Sequence, residues 1–202
     1  MDLKDTYNRI AEDWHKDHQQ DDWWRAGTEK LISLLKPGAQ VLDVGCGGGT
    51  KSKYIIAKGL QVSGIDFSES MIEIARREAP QAKFWVLDMR EVDTLVGEFD
   101  CIFVQAALLH IAKNEVDTVL KKLERKLRVG GYFYIAVKGI REDGIEEEVV
   151  KKNNYTYEYE RFFSYFTAEE LAAKLKNLGL EVVFSETNPS KNTNWIQMIA
   201  KK

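Results

Sequence analysis

Five short apolar runs, each parted from the next by a helical pattern, constrain this chain more than any other feature. The runs are QVLDVG (40–45), QVSGID (61–66), AKFWVLD (82–88), FDCIFVQ (99–105) and YFYIAVK (132–138). They are short, rich in β-branched and aromatic residues, and bounded by Gly or Pro, which reads as buried strand. Between them KSKYIIAKG (51–59) is helix-like and closes at Gly59. Ser68 caps a helix that turns Met71, Ile72, Ile74 and Ala75 inward before Pro80. Val116, Val119, Leu120, Leu123 and Leu127 make one stripe on a helix over 114–128, ended by Gly130–Gly131. Thr167-Ala-Glu-Glu170 is a capping box that opens a last helix, stopped by Gly179. LEVVFSE (180–186) and NWIQMIAKK (194–202) flank a turn-rich TNPSKNT and predict a hairpin. Strands alternating with helices imply an α/β fold, with a parallel sheet covered by helices on both faces. Ligands of such sheets bind beyond the carboxyl ends of the strands, so the residues that finish each strand are the ones that matter.

Composition narrows the partners. Lys plus Arg number 29 and Asp plus Glu 32, a net charge of −3, so the chain lacks the basic excess of a sequence-independent nucleic-acid binder. No apolar run reaches the ~20 residues of a membrane helix. The amino terminus is polar and acidic, unlike a secretory signal, and Cys46 and Cys101 form no metal-spaced pair. A cytoplasmic protein with reduced thiols, a monomer or homodimer, is the expectation.

The first strand ends in Asp43-Val-Gly-Cys-Gly-Gly-Gly49. Glycines there permit backbone angles closed to other residues and let a ligand touch the main chain, while the helix from Thr50 aims free N–H groups at the same place. The plain alternative is a tight strand-to-helix turn. Two details speak against a dinucleotide: Thr50 stands where the third glycine of G-x-G-x-x-G belongs, and Asp43 would repel a pyrophosphate but attract an ammonium or sulfonium. Asp66 ends the second strand and suits two ribose hydroxyls. Asp88 and Met89 end the third, an acceptor for an amino group beside a soft filler for a flat ring.

VLDVGCGGGT (41–50), VSGIDFSESMIEIAR (62–76), FWVLDMR (84–90), FDCIFVQAALLHI (99–111) and LERKLRVGGYFYIAVKG (123–139) together resemble the successive motifs of class I S-adenosylmethionine-dependent methyltransferases. The resemblance implies a Rossmann-like seven-stranded sheet of order 3-2-1-4-5-7-6 with the last strand antiparallel. It implies a single methyltransferase domain over 1–202: a helical cover (1–36), a cofactor-binding core (37–138), a substrate lid (139–166), and a closing helix and hairpin (167–202). The cofactor would be S-adenosyl-L-methionine and the spent product S-adenosyl-L-homocysteine. Asp43, Gly45, Cys46 and Gly47 would surround its methionine part, and Asp66 would hold the ribose. Phe67, Ser68 and Met71 would lie by the adenosine, with Asp88 and Met89 at the adenine edge. Gln105 and Ala106 would face the sulfonium. Tyr7, Trp14 and Arg25 would belong to the cover, Arg25 against a carboxylate.

Methyl transfer asks the protein mainly to align two reactants and exclude water. His110, just past the fourth strand, is the expected base where an acceptor must lose a proton. It could equally position the loop. His15 and His18 share a helix face with several Asp, which reads as a solvated face and not a metal site. Trp23 and Trp24 plug the pocket or pack in the core. In 139–166, Tyr155, Tyr157, Tyr159, Phe162, Phe163, Tyr165 and Phe166 offer aromatic walls, with Glu158 and Glu160 placed for a cationic acceptor; a plain strand is the alternative. QAALLH (105–110) lacks the Pro-Pro tetrapeptide of adenine and glutamine amino-methylases, and the chain has no Pro-Cys pair for cytosine methylation. A small-molecule acceptor is therefore expected. Two other readings stay open: a non-catalytic cofactor-binding subunit, and a nicotinamide-dependent oxidoreductase.

Overall fold

Within β4 (Phe99–Gln105) Ile102 and Val104 face one way and Cys101 and Phe103 the other, and both sets are buried. A strand apolar on both sides needs helices on both sides. The computed structural model describes residues 2–190 and 193–202 and shows that arrangement. β1 (Gln40–Val44), β2 (Gln61–Asp66), β3 (Lys83–Val86), β4, β5 (Leu127–Lys138), β8 (Glu181–Ser190) and β9 (Thr193–Lys201) form one sheet ordered β3-β2-β1-β4-β5-β9-β8. β1 to β5 pair in parallel, and β9 runs antiparallel to both β5 and β8. Counted within this sheet alone, that is the expected order with its antiparallel last strand. The two remaining strands, β6 (Glu147–Lys152) and β7 (Tyr159–Ser164), pair only with each other.

One face is covered by α5 (Lys113–Glu124) and α6 (Ala168–Asn177), whose Val116, Leu120, Leu171 and Leu175 join Leu42, Val44, Ile102 and Val104. The other face carries α2 (Arg25–Leu34) and α3 (Thr50–Ala57), through Leu31 and Ile55 against Val41, Phe103 and Tyr134. α4 (Glu69–Glu78) packs by Ile72 and Ala75 against Phe84. Its Met71 and Ile74 meet Tyr7, Ile10 and Ala11 of α1 (Leu3–His18). Among the described residues no helix is long and apolar enough to cross a membrane.

Three boundaries differ from the sequence reading. The helix expected over 114–128 stops at Glu124, because Leu127 pairs with Phe99 in the sheet and is fully buried there. The Gly130–Gly131 pair therefore lies inside β5, where a Cβ on Gly131 would come 2.8 Å from the Asp100 carbonyl. The hairpin strands run on to Ser190 and restart at Thr193, so most of TNPSKNT is strand. Pro189 is tolerated because β8 is an edge strand; the turn at 191–192 lies outside the described residues. The third strand is shorter than 82–88, since Asp88 leaves it to cap the 3-10 turn Met89–Thr94.

Candidate active site

The carboxyl ends of β1, β2, β3 and β4 open on one cavity of about 960 Å3. Its floor is the glycine-rich turn. Gly45, Gly47 and Gly49 have φ of 69°, 52° and 77°, which favours glycine. The amides of Gly45 and Cys46 both donate to the Ile65 carbonyl, at 2.8 and 3.0 Å, tying the turn to β2. A side chain on Gly45 would strike Ala107, and one on Gly48 would strike the His15 ring. The turn is thus pressed between the end of β4 and helix α1.

Two buried carboxylates front this turn. Asp43 accepts a hydrogen bond from the Ser52 hydroxyl at 2.6 Å. Asp66 accepts from the Gly47 amide on one oxygen and the Ser68 amide on the other, both at 2.9 Å. Burial pushes each carboxyl up to about 6. Each oxygen has a second lone pair, so Asp66 shapes the loop and can still accept from a ligand. Asp88 spends its oxygens on the Arg90 amide and guanidinium, at 2.8 and 2.9 Å. Gln105, which ends β4, is buried on the cavity wall, and neither of its amide atoms has a protein partner. Ala106 follows at φ 53°, a left-handed conformation that costs a non-glycine residue ~1–2 kcal/mol.

His110 lies beside this position in the 3-10 turn Leu108–His110. Its Nδ1 donates to the Phe162 carbonyl at 2.7 Å, which fixes the tautomer. Its Nε2 accordingly accepts the Tyr7 hydroxyl, at 2.8 Å. Burial, and the Arg161 and Lys138 charges, hold its pKa down at about 3.

The far wall comes from β5, β7 and β9. Lys138 ends β5, with Nζ 3.8 Å from the centre of the Phe163 ring. Trp195 pairs with Lys138 across the ladder and stacks on Trp23 at 3.7 Å and 9°. Arg161 of β7 is 9% exposed, with its guanidinium 4.4 Å from the Trp14 ring centre and 5.1 Å from that of Phe163. Its Nε has no hydrogen-bond partner, and no ion pair among the described residues includes it.

Comparison with known proteins decides what such an arrangement is. Residues 41–131 match the family model described as a methyltransferase domain. The chain is 29% identical over 133 residues to the ubiquinone biosynthesis O-methyltransferase of Coxiella burnetii, which covers 57% of this chain and 56% of that protein. The protein of the same name from Xanthomonas axonopodis is 27% identical over 186 residues, covering 79% and 76%. Among solved structures, the 1,6-didemethyltoxoflavin-N1-methyltransferase of Burkholderia thailandensis, bound to 1,6-didemethyltoxoflavin and S-adenosylhomocysteine, superposes with TM-score 0.78 at 23% identity, over 99% of this chain and 87% of that one. Residues 41–131 belong to the methyltransferase-domain family, and the chain as a whole is similar to class I S-adenosylmethionine-dependent methyltransferases. It spans little more than half the length of the Coxiella relative. The fold alone does not dictate the chemistry, since the [4+2]-cyclase SpnF superposes with TM-score 0.75 at 17% identity, covering 99% of this chain and 95% of that one.

The donor set of this chain fits the cofactor of those methyltransferases. Two buried acids suit a cationic sulfur and ribose hydroxyls, the unpartnered Gln105 amide offers a donor and an acceptor, and the bare backbone of the turn allows close approach. Of the residues expected at the cofactor, Asp43, Gly45, Cys46, Gly47, Asp66, Phe67, Met71, Asp88, Met89, Gln105, Ala106, Tyr7 and Trp14 all line the cavity. Two do not. The Ser68 hydroxyl accepts from the Met71 amide and donates to Asn8, so it serves the helix cap and the docking of α1. Arg25 lies off the cavity, exposed, near the rings of Trp24 and Tyr54. The buried cation on the cavity wall is instead Arg161, which has no role in the sequence analysis; an Arg amid seven aromatics in 155–166 is the signal for it.

The aromatic segment is also corrected in part. Tyr155, Tyr159 and Phe163 reach the wall. Tyr157 bonds to Asp13 and stacks with Arg9, while Phe166 is buried in the main core and Tyr165 bonds Glu148. Glu160 pairs with Lys151 away from the cavity, and Glu158 gives Arg9 only its carbonyl. The charges this segment turns inward are cationic, Lys152 and Arg161, the reverse of the acidic face expected. His15 Nε2 lies 3.7 Å from Glu78 without a hydrogen bond, and His18 Nδ1 donates to the Trp14 carbonyl, so the two rings face different groups. Among the described residues no cluster of three or more His, Cys, Asp or Glu could hold a metal ion.

Proposed function

We propose that this protein transfers a methyl group from S-adenosylmethionine to a small-molecule acceptor. The observation that carries the reading is the convergence of Asp43, Asp66 and the unpartnered Gln105 on one cavity at the ends of β1, β2 and β4. When bound, the cofactor would supply an electrophilic methyl on a cationic sulfur, to be taken by the acceptor with S-adenosylhomocysteine leaving as a neutral thioether.

The remaining work falls to the chain. Asp66 accepts from ribose hydroxyls with the lone pairs that Gly47 and Ser68 leave free. Asp43, held by Ser52, keeps a negative charge beneath the positive ligand. Gln105 and Ala106 border the transfer position. Helix α1 and the β6–β7 hairpin shut out water from above, joined to each other by the Tyr157–Asp13 bond of 3.1 Å. In this reading His110 is a positioning residue. Its lone acceptor nitrogen already holds Tyr7, and a pKa of about 3 makes it a poor proton acceptor at neutral pH. Tyr7 is the hydroxyl that the acceptor meets.

Calorimetry with S-adenosylmethionine tests the cofactor half, and incubation with a methyl-labelled donor and a panel of metabolites tests transfer. Binding and acceptor-dependent release of S-adenosylhomocysteine are expected. Absence of cofactor binding overturns the proposal.

A further inference from the structure

Charge is unevenly arranged along the cavity. Asp43, Asp66 and Asp88 lie at or just past the carboxyl ends of β1, β2 and β3, with Lys51 near Asp43 and Arg90 paired to Asp88, while Lys138 ends β5 and Arg161 sits on β7 with no ion pair to either among the described residues. In the order β3-β2-β1-β4-β5 the end of β5 lies two strands from β1, about 10 Å at the usual spacing, and on the side away from β2 and β3. The cationic end is therefore the end the nucleoside does not need.

That end has three unusual properties together. Arg161 is nine-tenths buried, yet its Nε is unpartnered and it forms no ion pair among the described residues, although a buried charge is normally paired. Lys138 is a second cation that forms no ion pair among the described residues, and desolvation, together with crowding by Arg161, pulls its pKa down to about 8. The nearby Glu148 is engaged by Tyr165 at 2.6 Å and Arg141 at 2.9 Å. Around both cations stand flat rings, Trp14, Tyr159, Phe163 and Trp195. A guanidinium among aromatic faces, with an Nε–H donor still free, recognises a planar carboxylate carried on a planar frame.

We propose that the acceptor is an aromatic or conjugated carboxylate, paired by Arg161 with Lys138 beside it and held flat among Trp14, Phe163 and Trp195. This assignment rests on the methyl-transfer reading. The same carboxylate chemistry is present in the amino-acid tail of the cofactor, so the test must separate the two sources.

The test uses the full chain saturated with S-adenosylhomocysteine, with benzoate, 4-hydroxybenzoate and cinnamate as probes, each beside its primary amide. Ligand-observed NMR should show the acids bound at least tenfold more tightly than the amides. Arg161→Gln should abolish that preference and leave the S-adenosylhomocysteine dissociation constant within twofold. Arg161→Lys should restore part of the preference, and Lys138→Gln should reduce it independently should Arg161→Gln not fold. Equal binding of acids and amides, or binding of neither, overturns the assignment, as does an Arg161→Gln protein that loses S-adenosylhomocysteine and keeps the acid preference. Failure of the wild type to bind S-adenosylhomocysteine overturns the methyl-transfer reading itself.

Discussion

The Tyr7 hydroxyl donates to His110 Nε2 at 2.8 Å, joining residues 103 positions apart across the mouth of the site. Because Nδ1 is committed to Phe162, the imidazole can only receive from Tyr7 in its neutral form. Tyr7→Phe and His110→Gln should therefore act as one unit: the double variant should lose no more turnover than the worse single one. With His110 at about 3, turnover should show no histidine inflection between pH 5 and 8. An inflection in that range that persists at saturating cofactor and is removed by His110→Gln would restore the base role, since Asp43 and Asp66 also titrate near 6.

Asp66 is expected to dominate nucleoside affinity. Asp66→Ala should weaken S-adenosylmethionine by roughly 1–3 kcal/mol, the scale of hydrogen bonds to a charged group. Calorimetry reads this directly. Part of the loss will come from the Gly47 amide, which Asp66 also holds.

Burial of Asp43 has opposite consequences for folding and for binding. Its folded pKa of about 6 exceeds the ordinary 3.8, so its favourable contribution to stability is fully present below pH 3.8 and is lost as pH rises through 6. Asp43→Asn should then make the ligand-free protein more stable than wild type at pH 7.5, by about 1–3 kcal/mol, with the gap closing near pH 4. Cofactor affinity runs the other way. It should fall in the wild type as pH drops through 6, because the sulfonium favours the ionised acids. Thermal melts with and without cofactor at several pH values would separate the two effects.

Gly45→Ala should cost at least the ~1–2 kcal/mol of a left-handed alanine. The added methyl also meets Ala107, so the turn must shift. Chemical denaturation would show the stability loss, and cofactor binding should fall with it. Gly38→Ala has φ 76° but open space around it, so it should cost only the backbone share.

The hairpin's hold on helix α1 is testable in isolation from the cavity. Tyr157 bonds Asp13 and receives the Arg9 guanidinium 4.2 Å from its ring centre. Tyr157→Ala should raise hydrogen exchange in 147–164 and in α1, while the central strands stay protected. Unchanged exchange would show that the hairpin is held by other contacts.

The strand ends were legible because glycines, acids and β-branched runs are local signals, and the parallel sheet places their ends together whatever the side chains do elsewhere. Asp43, Asp66, Asp88 and Gln105 were found that way. Arg161 was not, because its importance lies in what it lacks, an ion pair, and that appears only when Trp14 of α1 and Lys138 of β5 are brought beside its own strand neighbour Phe163. Arg25 was misplaced for the same reason: a helix start leaves the direction of a long side chain undecided. Leu127 satisfied a helical stripe in sequence and yet joined β5, since pairing with Phe99 buried it better. Glu158 and Glu160 drew attention by charge, but a strand alternates, and their neighbour Arg161 took the inward face.

Trp195 stacks on Trp23 and backs Lys138, so one wall of the cavity is fastened by a residue laid down 172 positions after its partner. Everything that ends β1 to β4 therefore precedes in the chain the residue that backs the opposite wall, and β9 must find its place between β5 and β8 before that wall exists.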